Sequence, residues 1–67
     1  MKVGASIRAI RESRGISQEL VAERADLHPI YYGNVERGRN NISILSLVKV
    51  ALALKCTVEE IVKSAGI

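Results

Sequence analysis

The chain contains no phenylalanine and no tryptophan, and only two tyrosines. Its core must therefore be assembled from Leu, Ile, Val and Ala, which suits packed helices. It has one cysteine, Cys56. That excludes an internal disulfide and any multi-cysteine metal site, and it fits a reducing compartment. Cys56 is expected to pack as a small apolar residue. A single proline and scattered glycines leave no linker-like stretch, repeat or low-complexity segment. No apolar run approaches the ~20 residues of a membrane span. The opening MKVGASIRAIRESRG is broken by charges and lacks the apolar centre of a secretory signal. A soluble, intracellular protein without cofactor, metal or small-molecule ligand is expected.

What is present bounds the rest. Sixty-seven residues allow one small domain. A chain of this size buries only about 60% of its unfolded surface, so a lone copy is marginal. A hydrophobic content of 48% argues against disorder. The net charge of +3 suits a polyanionic partner but does not require one.

Apolar periodicity and caps divide the chain into five short helices. Val3, Ile7 and Ile10 fall at helical spacing and predict a first helix from Lys2 or Val3 to Arg14. Gly15 follows at its left-handed cap. Ser17 is a good N-cap for a second helix, Gln18 to Ala25, and Glu19 in its first turn suits the helix dipole. Asp26 and Leu27 form a turn. The third helix begins at His28 or Pro29, where proline is favoured, and ends at Gly38. Tyr32 and Val35 are predicted to point inward, Tyr31 and Asn34 outward. A polar loop, Arg39 to Ile42, leads to Ser43, the cap of a fourth helix from Ile44 to about Leu54. Leu47, Val50, Ala51 and Leu54 are its buried stripe. Thr57 to Glu60 reads as a capping box opening a fifth helix, Val58 to Ser64.

From Gln18 the pattern is that of a helix–turn–helix. A small residue is wanted at the fifth position, filled by Ala22. Apolar residues are wanted at the fourth, eighth, tenth, fifteenth and eighteenth, filled by Val21, Ala25, Leu27, Tyr32 and Val35. GISQ, LH-x-x-Y and VERGRNNIS stand in register with it. Together these residues resemble the Cro and lambda-repressor-like (Xre) helix–turn–helix family over roughly Ile7 to Ile61. Within that family the chain is similar to small stand-alone regulators, including the controller proteins of restriction–modification systems. The resemblance implies an all-α, five-helix domain over residues 1–67, with the motif at about 18–37. Two positions depart from the pattern. Asp26 stands where the turn usually carries glycine. Tyr32 replaces a β-branched aliphatic, and its hydroxyl needs a partner or must tilt toward solvent.

The resemblance also implies where function lies. The first half of the third helix reads base edges, which maps here to His28, Pro29, Ile30, Tyr31 and Asn34. Asn34 can pair with adenine N6 and N7, and Ile30 can pack on a thymine methyl. Phosphate contacts are expected from Ser17 and Gln18 at the start of the second helix, and from Arg37, Arg39, Asn40 and Asn41. Arg11 and Glu36 match positions that form a partly buried ion pair between the first and third helices.

The last third of the chain carries a partner signal. Leu45, Leu52, Val58, Ile61, Val62 and Ile67 exceed what one thin core can cover. They predict a two-fold homodimer through residues 44–67. The implied partner is double-stranded DNA, at a pseudo-palindromic operator. Regulation would be steric, or through contact with RNA polymerase, in the cytoplasm on bacterial or phage DNA. The alternative is a protein-interaction module of the same fold, such as an antitoxin or adaptor. Catalysis is not expected. His28, Asp26 and Ser43 could be written as a triad, but the first two share one turn and nothing cradles an oxyanion.

Overall fold

A computed structural model of the chain describes residues 2–66. It contains five α-helices: α1 (Lys2–Ser13), α2 (Gln18–Arg24), α3 (Pro29–Glu36), α4 (Ile44–Leu54) and α5 (Val58–Ser64). There is no strand among the described residues. Among the described residues no helix is long and apolar enough to cross a membrane.

The starts of α2 to α5 are set by side chains that satisfy free backbone N–H groups. Ser17, Ser43 and Thr57 hydroxyls accept from the N–H groups of Leu20, Ser46 and Glu60. His28 does the same through Nδ1, which accepts from the Ile30 N–H at 3.1 Å. Four of the helix ends share one device. The residue after the helix turns left-handed, and two N–H groups fold back onto the last turn. Gly15 and Gly38 fill this position after α1 and α3. After α2 it is Asp26, φ 56°, with the Leu27 N–H bonded to the Ala22 carbonyl. After α4 it is Lys55, φ 58°, with the Cys56 N–H bonded to the Ala51 carbonyl. The Asp26 turn follows from the motif. Nothing in the local sequence marked Lys55 as left-handed.

The helices surround one aliphatic core. Ile7, Val21, Ala22, Tyr32, Val35, Val50, Leu54 and Ile61 are fully buried. The close pairs are α1 with α3 and α5, α2 with α3 and α4, and α4 with α5. Gly4 makes the α1–α3 approach possible: a Cβ there would overlap the Val35 carbonyl. Ser6, also buried, donates through Oγ to the Ile61 carbonyl at 2.7 Å and ties α1 to α5. Gly4 and Ser6 were invisible as contacts in the sequence, because a helix's small residues reveal a crossing only when its partner is known.

Three expectations are corrected by the packing. Ile61, expected at a dimer seam, is 0% exposed within a single chain. It belongs to the core because α5 lies against α1 and presents this residue inward. Tyr31, expected to face outward, is half-buried and packs against the core. Tyr32 neither tilts toward solvent nor finds a partner: its ring is fully buried and its hydroxyl has no hydrogen bond among the described residues. Burial, with the nearby Glu36 carboxylate, pushes the Tyr32 phenol far above its ordinary range. Ile67 lies outside the described residues.

Candidate nucleic-acid interface

The second and third helices meet across a turn that leaves one long side of α3 free. Pro29 and Ile30 open this side, and Asn34 follows one turn later, with Tyr32, Gly33, Val35 and Glu36 turned inward. Between the start of α2 and this side runs an open groove of about 390 Å³. It is lined by Gln18 and Glu19 from α2, Pro29, Ile30 and Asn34 from α3, and Arg37 and Arg39 from the segment after it. Ile30 is 68% exposed there. The groove thus brings together six of the residues singled out from the sequence. Ser17, His28, Tyr31, Asn40 and Asn41 do not line it. Glu19 does, and had been read only as a helix-dipole residue.

The position of α3 is held from beneath by a charged network. Arg11 Nε donates to Glu36 Oε2 at 2.7 Å, and Arg11 Nη2 to Oε1 at 3.1 Å. This two-pronged geometry is the strong form of an arginine–carboxylate pair. The Arg11 side chain is 12% exposed and that of Glu36 1%. Arg11 Nη1 also donates to the Ile16 carbonyl at 2.8 Å, which clamps the α1–α2 connection. Gln18 Nε2 donates to Glu36 Oε1 at 2.9 Å. Burial alone would push the Glu36 carboxyl up. The hydrogen bonds from Arg11 and its other neighbours, together with the Arg11 charge, outweigh burial and hold it below its ordinary range. The Tyr32 hydroxyl lies close enough to act in the same direction, although it makes no properly formed hydrogen bond.

Several sequence expectations change on this geometry. Gln18 was expected among the phosphate contacts at the start of α2, where backbone N–H groups are free, an expectation that did not extend to its side chain. The amide is turned inward onto Glu36, because a buried carboxylate needs more donors than one guanidinium provides. Arg37 was expected among the loop cations. It lies back along α3, over Gly33, and Nη1 donates to Asn34 Oδ1 at 3.3 Å. Asn34 and Arg37 are therefore one polar patch on the outward side of α3. The Asn34 backbone carbonyl accepts from the Arg39 and Asn40 N–H groups, which fixes where Arg39 leaves the helix. His28 spends Nδ1 on its cap, so its outward donor is Nε2.

A second surface stands apart from the groove. On α4, Ile44, Leu45 and Leu52 are 79%, 65% and 72% exposed, with Val48 beside them. Positions 44, 45, 48 and 52 fall within about 100° of the helix circumference. Leu45 and Leu52 were named from the sequence; Ile44 and Val48 were missed. The buried stripe of α4 borders this one, so the two merge into a broad apolar region when read without a fold. Val58 and Val62, the other expected seam residues, are half-buried on α5. Cys56 is half-buried against the core, and burial raises its thiol, which keeps it protonated.

Five helices, the second and third joined by a left-handed turn beneath an exposed α3, define an all-α lambda-repressor-like domain. The chain belongs to the helix-turn-helix family, whose pattern matches residues 7–61. It is similar to the control protein C.SmaI of Serratia marcescens, at 34% identity over 62 residues, 92% of this chain and 74% of that one. Among solved structures it resembles the restriction–modification controller protein C.AhdI from Aeromonas hydrophila. That match has a TM-score of 0.87 and 38% identity, covering 90% of this chain and 91% of the other. It also resembles the controller protein C.Esp1396I, solved as a tetramer with its natural 35 base-pair operator. There the TM-score is 0.84 and the identity 28%, over 98% and 92% of the two chains.

Proposed function

We propose that this chain is a sequence-specific duplex DNA-binding transcriptional regulator that acts as a homodimer, in the manner of a restriction–modification controller protein. The observation that carries the reading is the free side of α3. It is a rigid helix, held from below by the Arg11–Glu36–Gln18 network, that offers Pro29, Ile30 and Asn34 to the outside between Arg37 and Arg39. An α-helix of this kind fits the major groove of B-DNA. Asn34 presents an amide suited to adenine. Ile30 is placed for a thymine methyl. Arg37, beside Asn34, can reach guanine or a phosphate. Arg39, together with Ser17, Asn40 and Asn41 at the margins, contacts the backbone and sets register rather than sequence.

The homodimer rests on the α4 stripe. Four large apolar side chains on one exposed helix face are more than a chain of this size leaves in water without a partner. A two-fold axis through α4 would pair each stripe with its copy and place the two α3 helices on one side of the duplex. Half-sites would then lie about 34 Å apart or a multiple of that. A bound dimer would act on transcription sterically or by contact with RNA polymerase.

The test is selection of duplexes from a random pool, followed by binding of Asn34→Ala and Arg39→Ala to the selected site. Asn34→Ala should relax the preference at one base pair, by about 1–3 kcal/mol. Arg39→Ala should weaken all sequences equally and reduce the salt slope by about one. Failure to enrich any sequence at low salt would refute the reading.

A further inference from the structure

Among the described residues Glu19 is the one carboxylate that lines the groove, which it shares with Asn34, Arg37 and Arg39. It is exposed and takes part in none of the ion pairs among the described residues. Glu23, one turn further along α2, is equally exposed but does not line the groove. An acidic side chain on the surface offered to a polyanion opposes binding, whichever bases lie beneath it. Helix-dipole stabilisation accounts for an acidic residue in the first turn of α2, and any partner that meets the groove meets that carboxylate too.

We infer that Glu19 holds down the affinity of this surface for duplex DNA by penalising backbone attraction, so that stable binding requires the base contacts of α3. This rests on the DNA-binding reading above. The carboxylate repels the phosphates bordering the groove on every sequence. The base contacts of Ile30, Asn34 and Arg37 offset that penalty only on the correct site. Glu19 thus sets the threshold of affinity that any duplex must exceed, without itself pairing with a base.

The experiment compares the 67-residue chain with its Glu19→Gln and Glu23→Gln variants on a random-sequence duplex and on the selected operator, across a salt series. Both substitutions raise the net charge by one, so a general charge effect moves them together. Glu19→Gln should tighten binding to random duplex by roughly three- to tenfold near 0.1 M salt, an effect that shrinks as salt screens it. Glu23→Gln should do clearly less. Affinity of Glu19→Gln for the operator should rise by about the same factor as for random duplex, because a penalty felt on every sequence cancels from the ratio of the two affinities. Equal effects of the two variants, or an unchanged random-duplex affinity for Glu19→Gln, would overturn the inference while leaving DNA binding intact. If the unmodified chain binds neither duplex at low salt, the DNA-binding reading fails and this inference with it. Thermal unfolding of both variants, run alongside, separates any loss of helix stability from the change in affinity.

Discussion

Replacing Gly4 and Gly33 with alanine, one at a time, sets packing against helix propensity at two sites where propensity alone predicts the same result. Each glycine lies inside a helix, so each alanine should gain about 1 kcal/mol. At Gly4 the new methyl would overlap the Val35 carbonyl and come within 3.3 Å of the Glu36 carbonyl. Both obstacles are backbone, and α3 can yield only by moving away from α1. That movement strains the Arg11–Glu36 pair across the same contact. Overpacking of this kind costs about 1–3 kcal/mol, occasionally more, and the overlap here places Gly4→Ala at the upper end. Its net effect should be a loss of about 2 kcal/mol after the propensity gain is subtracted. At Gly33 the methyl would meet the Arg37 guanidinium, Nη1 at 2.9 Å and Nη2 at 3.3 Å. Those atoms end a flexible, exposed side chain that can swing aside. Gly33→Ala should therefore stabilise the domain by about 0.5–1 kcal/mol. Urea unfolding followed by circular dichroism gives both values, provided the slope with denaturant stays constant. Stabilisation by Gly4→Ala would refute the close α1–α3 crossing. Destabilisation by Gly33→Ala would show that Arg37 is not free to move.

The remaining expectations concern the charged network, the α4 stripe and the tyrosine. Arg11→Met strands a carboxylate whose side chain is 1% exposed, and should cost about 3–5 kcal/mol at neutral pH, a large part of the roughly 3–10 kcal/mol open to a chain of this size. In the parent, the depressed Glu36 pKa contributes stability that is complete above the ordinary value of 4.5 and is lost as pH falls below it. In Arg11→Met, burial without the arginine raises that pKa, so the deficit relative to the parent should shrink as pH falls from neutrality into the acid range, measured by denaturant titration at each pH. A deficit independent of pH would contradict the network. Leu52→Asp should yield folded monomers by light scattering, because that side chain is 72% exposed; Ile61→Asp should unfold the chain outright, because Ile61 is fully buried. A folded Ile61→Asp, or a dimer that survives Leu52→Asp, would refute those placements. Tyr32→Phe removes an unpartnered buried hydroxyl, and should leave stability unchanged or raise it by up to about 1 kcal/mol; a larger loss on denaturation would mean that the hydroxyl is bonded.

Helix identity and order could be read from the chain itself, because the signals are local. Ser17, Ser43 and Thr57 each cap a helix through a backbone N–H three residues on. Pro29 and Gly38 bracket α3 for equally local reasons. The spacing of Val21, Ala22, Ala25, Tyr32 and Val35 determined that α2 and α3 would pack together with one side of α3 left over. Tertiary structure decided everything that depends on which side chains meet. It turned Gln18 inward, because Glu36 is buried and its charge demands donors. It laid Arg37 over Gly33 beside Asn34 and put Glu19 in the groove. It also divided the apolar residues of α4 and α5 between core and surface, taking Ile61 inside and leaving Ile44 and Val48 out. Hydrophobic patterning states how much apolar surface must be covered. Whether the cover comes from the same chain or from another is settled only by where the other helices lie.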